Sequence, residues 1–208
     1  KFLIMPDYVG TLYSTGLTTG TVLSCGYSTT YSATVDNGIP NPYSIFYSKF
    51  TSKRVESQYS EIVRDLIYQR HLKGESDFHD PTSVDTKRFL EQYGLVSAAA
   101  SSPSATQKEV QVKLPDGTDM TIPSGDLSNP LEEYFGSKVD SPLINLKARD
   151  NCSLQNLITK SVETVSKITK DQFYGNVVVE GGITKLPGFI ERLEAETNAL
   201  SAPFKIKL

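Results

Sequence analysis

The segment from Asp171 to Gly188, DQFYGNVVVEGGITKLPG, restricts this chain more than any other. Val177 to Val179 is a β-branched run too short for a helix, and it stops at Gly181-Gly182, the pattern of a buried strand entering a tight turn. A helix is expected to follow at once, opened by Pro187, whose missing N–H would be unpaired in a first turn anyway. Phe189, Ile190, Leu193 and Thr197 then recur at helical spacing. Strand, glycine turn and helix together let backbone N–H groups face a ligand, and glycines let a phosphate or a flat base approach. A Gly-Gly pair alone reads better as a mere sharp turn, because short motifs match by chance.

Composition narrows the classes. The 208 residues make one large domain or two small ones and can bury a core. A formal net charge of -3 offers no excess of positive charge for direct nucleic-acid binding. Apolar runs of a few residues fall far short of a membrane span, so no membrane association is expected. The opening Lys1-Phe2-Leu3-Ile4-Met5 meets Pro6 too early for a secretory h-region. Cys25 and Cys152 lie far apart without CxxC spacing, and only His71 and His79 offer imidazoles. Neither a metal site nor a disulfide is indicated, and a reducing intracellular compartment is expected.

Phe2 to Met5 reads as a short buried strand, and Pro6-Asp7 as breaker and cap for a helix over Tyr8 to Ser14 that ends at Gly16. Thr18 to Ser24 and Thr29 to Val35 predict a hairpin about Cys25-Gly26-Tyr27-Ser28. Pro40 to Tyr59 has weak periodicity and is expected to be loop. Ser60 is placed as the cap of a helix whose core stripe is Ile62, Val63, Leu66, Ile67 and His71. Asp85 to Tyr93, closed by Gly94, predicts a short amphipathic helix, and Ser97 to Thr106 a low-complexity surface connection. Val110 to Leu114 and Met120 to Ile122 flank Pro115-Asp116-Gly117 as a second hairpin. Pro130 to Phe135 predicts one helical turn. Leu154 to Ile168, capped by Ser153 or Asn151, predicts the strongest helix, and Phe204 to Leu208 a last strand.

Taken in order, these blocks resemble the actin and actin-related protein family. LYSTGLTTGTVLSCG at Leu12 to Gly26 looks like the family's helix end and second phosphate-loop strand, and EIVRD at Glu61 to Asp65 like its adenine-side helix. AAASSPSATQKEVQVKLPDG at Ala98 to Gly117 is similar to its serine-rich loop and hairpin, and GGITKLPG with KIKL to its adenosine loop and following strand. The resemblance implies an α/β fold, an actin-like ATPase lobe of ribonuclease H-like type, with a mixed sheet flanked by helices and a reduced fourth subdomain. It divides the chain into residues 1–40 and 108–208 of the large-lobe subdomain and a rearranged small-subdomain region at 41–107. One lobe only is implied.

The departures bear on function. Where the family places an aspartate, a glycine and then Asp-Gly around the phosphates, this chain has Ser24, Gly26, Tyr27 and Ser28. Both carboxylates are replaced, and magnesium–triphosphate chemistry depends on such oxygen ligands. Asp7 stands at the position of the family's water-positioning glutamine and is read as a helix cap or as a base. Arg64 matches a family arginine near the nucleotide, yet Ile67 and Tyr68 replace the lysine and glutamate that flank base and ribose; Arg64 otherwise pairs with Glu61 or Asp65 on its own helix. The resemblance leaves Gly26, Arg64, Gly181 and Gly182 as a vestigial nucleotide set, with no catalytic residue and no metal ligand assigned.

The reading that follows is a non-catalytic actin-related subunit without a cofactor. Its partners would be proteins, actin or other actin-related proteins among them, in a cytoplasmic or cytoskeletal assembly rather than a nuclear one. The alternative is an ATP-binding actin-like protein or filament subunit, with magnesium, whose other half supplies the main phosphate loop.

Overall fold

The hairpin at residues 20–36 forms the centre of the molecule in the computed structural model, which describes residues 2, 4–74, 80–97, 109–115, 117–136 and 153–201. Strands β1 (Gly20–Cys25) and β2 (Thr30–Asp36) pair antiparallel, Gly20 opposite Val35 and Cys25 opposite Thr30. The short strands β3 (Ile39–Pro40) and β4 (Phe46–Ser48) both pair antiparallel with β2. Strand β7 (Val177–Glu180) runs parallel on the other side of β1, with Val22 opposite Val178. The result is a five-stranded mixed sheet. Every residue of β1 is buried, as expected of a central strand covered on both faces.

Helix α1 (Asp7–Ser14) lies on one face, packing Tyr8, Val9 and Leu12 against Val22, Tyr31, Ala33 and Val35. Gly16 ends it in the left-handed region at φ 78°. On the other face sit α5 (Leu154–Glu163) and α6 (Lys170–Gly175), and α7 (Phe189–Ser201) packs against α5. The larger core continues through α2 (Ser52–Leu72), α3 (Ser83–Tyr93), α4 (Ser124–Glu132) and the hairpin of β5 (Glu109–Lys113) with β6 (Asp119–Pro123). Among the described residues no helix is long and apolar enough to cross a membrane.

Several expectations are corrected. Phe2 and Ile4 are fully exposed and form no strand, since an extended segment without a paired neighbour has no ladder to hold it. The stretch read as loop before residue 60 holds β4 and the first turns of α2. Val55, Tyr59, Val63 and Ile67 are buried at a four-residue spacing that runs straight through Ser60, so Ser60 is no cap. The polar residues between them belong to the outer face and hide the stripe. Arg70 is buried rather than His71, and its Nη1 donates to Thr118 Oγ1 at 2.7 Å.

Residues 124–135 make α4 and a 3-10 turn, Glu133–Phe135, rather than one helical turn, because Leu127, Leu131 and Tyr134 are buried at helical spacing. Helix α5 stops at Glu163, and Ile168 is exposed. A 3-10 turn, Gly182–Lys185, follows β7, so α7 starts at Phe189 and Pro187 stands in the preceding turn. The readings at 98–108 and 204–208, and those for His79, Asn151 and Cys152, lie outside the described residues.

Candidate functional site

The C-terminal ends of β1 and β7 open at the point where the sheet changes from parallel to antiparallel pairing. In an open α/β sheet this is where ligands bind. The two ends touch through glycine. A Cβ on Gly181, whose φ is 120°, would lie 2.2 Å from the Cys25 carbonyl oxygen, so the fold itself demands glycine there. A Cβ on Gly26 would lie 2.8 Å from the Thr29 carbonyl, to which the Gly26 N–H donates at 2.9 Å. Gly182 is different: nothing lies within 4 Å of its Cβ position, and its φ is not positive.

Gly26, Gly181 and Gly182 therefore converge, whereas Arg64 does not join them. Its Nε pairs with Asp80 at 2.9 Å, not with Glu61 or Asp65, and the side chain is half exposed on the outer face of α2. On the same helix Ile67 is buried in the core and Tyr68 is exposed. The N-terminus of α2 faces the Gly26–Tyr27 turn, but its amides are occupied. Ser52 N–H donates to the Gly26 carbonyl at 3.2 Å and Lys53 N–H to the Tyr27 carbonyl at 3.0 Å. Those are the orphan donors that an anion at a helix start would otherwise use.

A row of side chains crosses the sheet at this end. Tyr47 of β4 is opposite Tyr31 of β2, Tyr31 is opposite Ser24 of β1, and Ser24 is opposite Glu180 of β7. Directly opposed residues share a face, and Tyr31 lies in the core beneath α1, so the whole row lies on the α1 side. The Tyr31 ring contacts Tyr47 at 5.8 Å and Tyr8 of α1 edge-on at 6.2 Å. Above the row, Thr11 Oγ1 donates to Glu180 Oε2 at 2.5 Å and lies 3.1 Å from the Asp7 carbonyl, which joins the first turn of α1 to the tip of β7.

Asp7 is the first residue of α1, one position inside the cap, which is Pro6; its Oδ1 accepts from the Tyr8 N–H at 2.9 Å. Tyr31 is 7% exposed, and its hydroxyl lies beside Asp7 and Ser24 without a well-formed hydrogen bond to either. Burial pushes its pKa above the usual 10.0, and the neighbouring Asp7 and Glu180 carboxylates push the same way. Burial and then Glu180 also push the Cys25 thiol up, which keeps it protonated and unreactive.

Glu180, Thr11, Tyr31 and Tyr47 escaped the sequence reading. The period of two along β1, β2 and β7 assigns each side chain to a face, but the register that aligns the four strands is a tertiary property. Among the described residues no group of three or more His, Cys, Asp or Glu is placed to hold a metal.

A family model described as Actin matches residues 83–208, more than half of the chain, from α3 through α7. Gly181 and Gly182 lie inside the matched segment; Gly26 and Arg64 lie outside it.

Proposed function

The chain belongs to the actin family, and from that premise we propose that it is a non-catalytic member whose α/β lobe serves as a docking scaffold in a larger protein assembly. The observation that carries this reading is the row Tyr31, Ser24 and Glu180 at the strand ends, with Asp7 above it. By the resemblance, phosphates would approach here. A carboxylate at the tip of β7 and another at the start of α1 repel a triphosphate, and no ion pair among the described residues neutralises either. Ser24 and Tyr27 stand where carboxylates would organise metal and water, and positioning with charge stabilisation is most of phosphoryl-transfer catalysis. In our reading these residues do not fit magnesium triphosphate, and we assign no step to it.

One observation favours the alternative of an ATP-binding actin-like protein. Gly182 is free of the packing demand that fixes Gly181, which leaves an open approach to the backbone. Calorimetry with magnesium-ATP on the full-length protein, alongside phosphate release, decides between them. The scaffold reading expects no heat of binding and no turnover. Micromolar binding removes its strong form, and turnover ends it.

A further inference from the structure

Asp7 and Glu180 both lie beside Tyr31, the described residues supply neither with a cation, and the place has a buried floor. Tyr31, over nine-tenths buried, lies opposite Ser24, which in turn lies opposite Glu180, and its hydroxyl adjoins Asp7, Ser24 and Glu180 without a well-formed hydrogen bond to any of them. Two carboxylates and a phenol oxygen make a set dominated by acceptors. Thr11 satisfies one oxygen of Glu180 and leaves the other open. Asp7 is exposed, and with one oxygen on the Tyr8 N–H it keeps the other for a guest. Beside the carboxylates lie the rings of Tyr8, Tyr31 and Tyr47. The complement of this arrangement is a planar cation that carries many donors and stacks on aromatic faces. That description fits guanidinium better than ammonium, which is a compact, strongly hydrated point charge.

We propose that this end of the sheet receives an arginine side chain from a protein partner, its guanidinium held by the carboxylates of Asp7 and Glu180 at the rim above the Tyr31 hydroxyl, beside the exposed ring of Tyr47. The inference rests on the scaffold reading, since a bound triphosphate would exclude a cation from the same place. It assigns the scaffold a polarity: the partner's contact residue is basic, and the acidic pair is its anchor.

The test is an amide-resolved NMR titration of the full-length protein with N-acetyl-argininamide, repeated with the neutral isostere N-acetyl-citrullinamide, with magnesium chloride and with magnesium-ATP. Arginine should produce saturable shifts confined to Asp7 to Thr11, Ser24, Tyr31 and Glu180, and citrulline should produce none. The double substitution Asp7→Asn with Glu180→Gln should weaken the arginine response by about five-fold or more, the rest of the spectrum staying in place. Diffuse shifts, equal shifts with citrulline, or a response to magnesium alone would overturn the proposal; the citrulline comparison needs no variant and holds if the double substitution fails to fold. The remaining arm separates the two readings: magnesium-ATP moving these resonances removes the scaffold reading as well, whereas silence from every probe removes only the arginine site.

Discussion

On one face the central sheet is covered by α5 and α6, with α7 packed against α5, whereas among the described residues the other face is covered by the eight-residue helix α1 alone. The α5 side joins Leu157, Ile158, Val162, Phe173, Phe189 and Leu193 into one apolar core that reaches the β5–β6 hairpin. The α1 side holds seven buried residues and ends in the row Tyr47, Tyr31, Ser24 and Glu180. The thick face carries most of the burial and therefore most of the stability; the thin face leaves charge and a poorly satisfied hydroxyl at its rim, where stability alone would select neither.

Substitutions can break this contrast. Phe189 is fully buried and meets the rings of Tyr134 and Phe135 at 6.2 and 5.5 Å. Phe189→Ala should cost about 3–5 kcal/mol in denaturant unfolding. Leu12→Ala, equally buried on the α1 side, should cost about 2 kcal/mol, because its thin cover collapses more readily into the space left. Equal losses would abolish the distinction between the faces.

The thick side also holds a buried ionic centre. Arg192, 1% exposed, donates to Glu196 at 2.8 Å and to the Ser97 carbonyl at 2.9 Å, reaches Glu132 at 3.3 Å, and lies 5.2 Å from the Phe135 ring centroid. Arg192→Ala should cost about 3 kcal/mol, because Glu132 keeps its buried position and loses the guanidinium. Replacing both, Arg192→Met with Glu132→Leu, should recover most of that loss. If the double variant is no more stable than the single one, the centre contributes more than charge compensation.

Much of this architecture was legible in the chain. Both hairpins, the Val177 strand and the stripe beginning at Leu154 follow from periodicity and turn residues, because each is a local pattern with one buried face. What escaped is what only tertiary contacts decide. The early turns of α2 look polar by composition, yet Val55 and Tyr59 are core because α4 packs there, and the Tyr59 hydroxyl donates to the Leu127 carbonyl. Gly181 and Gly182 are singled out by their turn and Gly26 by the resemblance, and the three lie together at the strand ends, whereas Arg64, also taken from the resemblance, faces Asp80. Glu180 was passed over because its meaning comes from Ser24 and Thr11, distant in sequence.

A pH scan sharpens the comparison further. Burial raises the Tyr59 and Tyr134 pKa values above 10.0 on the thick side, against Tyr31 on the thin one, so the thick side should give the larger share of any alkaline loss. A raised phenol pKa means that the folded state holds its proton more tightly than the unfolded state. The stability this gives is complete below the unfolded value of 10.0 and is lost as pH climbs toward the folded value. Unfolding free energy should be flat to about pH 9 and then fall by up to about 1.4 kcal/mol per pH unit for each such tyrosine. Loss of stability beginning below pH 9 would assign the alkaline limit to other groups.

The smallest effect belongs to the thin face. Removing a buried hydroxyl that makes no well-formed hydrogen bond relieves a desolvation cost at little loss, so Tyr31→Phe should leave stability unchanged or raise it by up to about 1 kcal/mol. The ring stays, and with it the contacts to Tyr8 and Tyr47. If the hydroxyl serves a guest rather than the fold, the same substitution should weaken the saturable shifts induced by N-acetyl-argininamide while the melting temperature holds or rises. A loss of stability larger than about 1 kcal/mol would mean that the hydroxyl has a structural partner after all, and the thin face would then be held together by the same rules as the thick one.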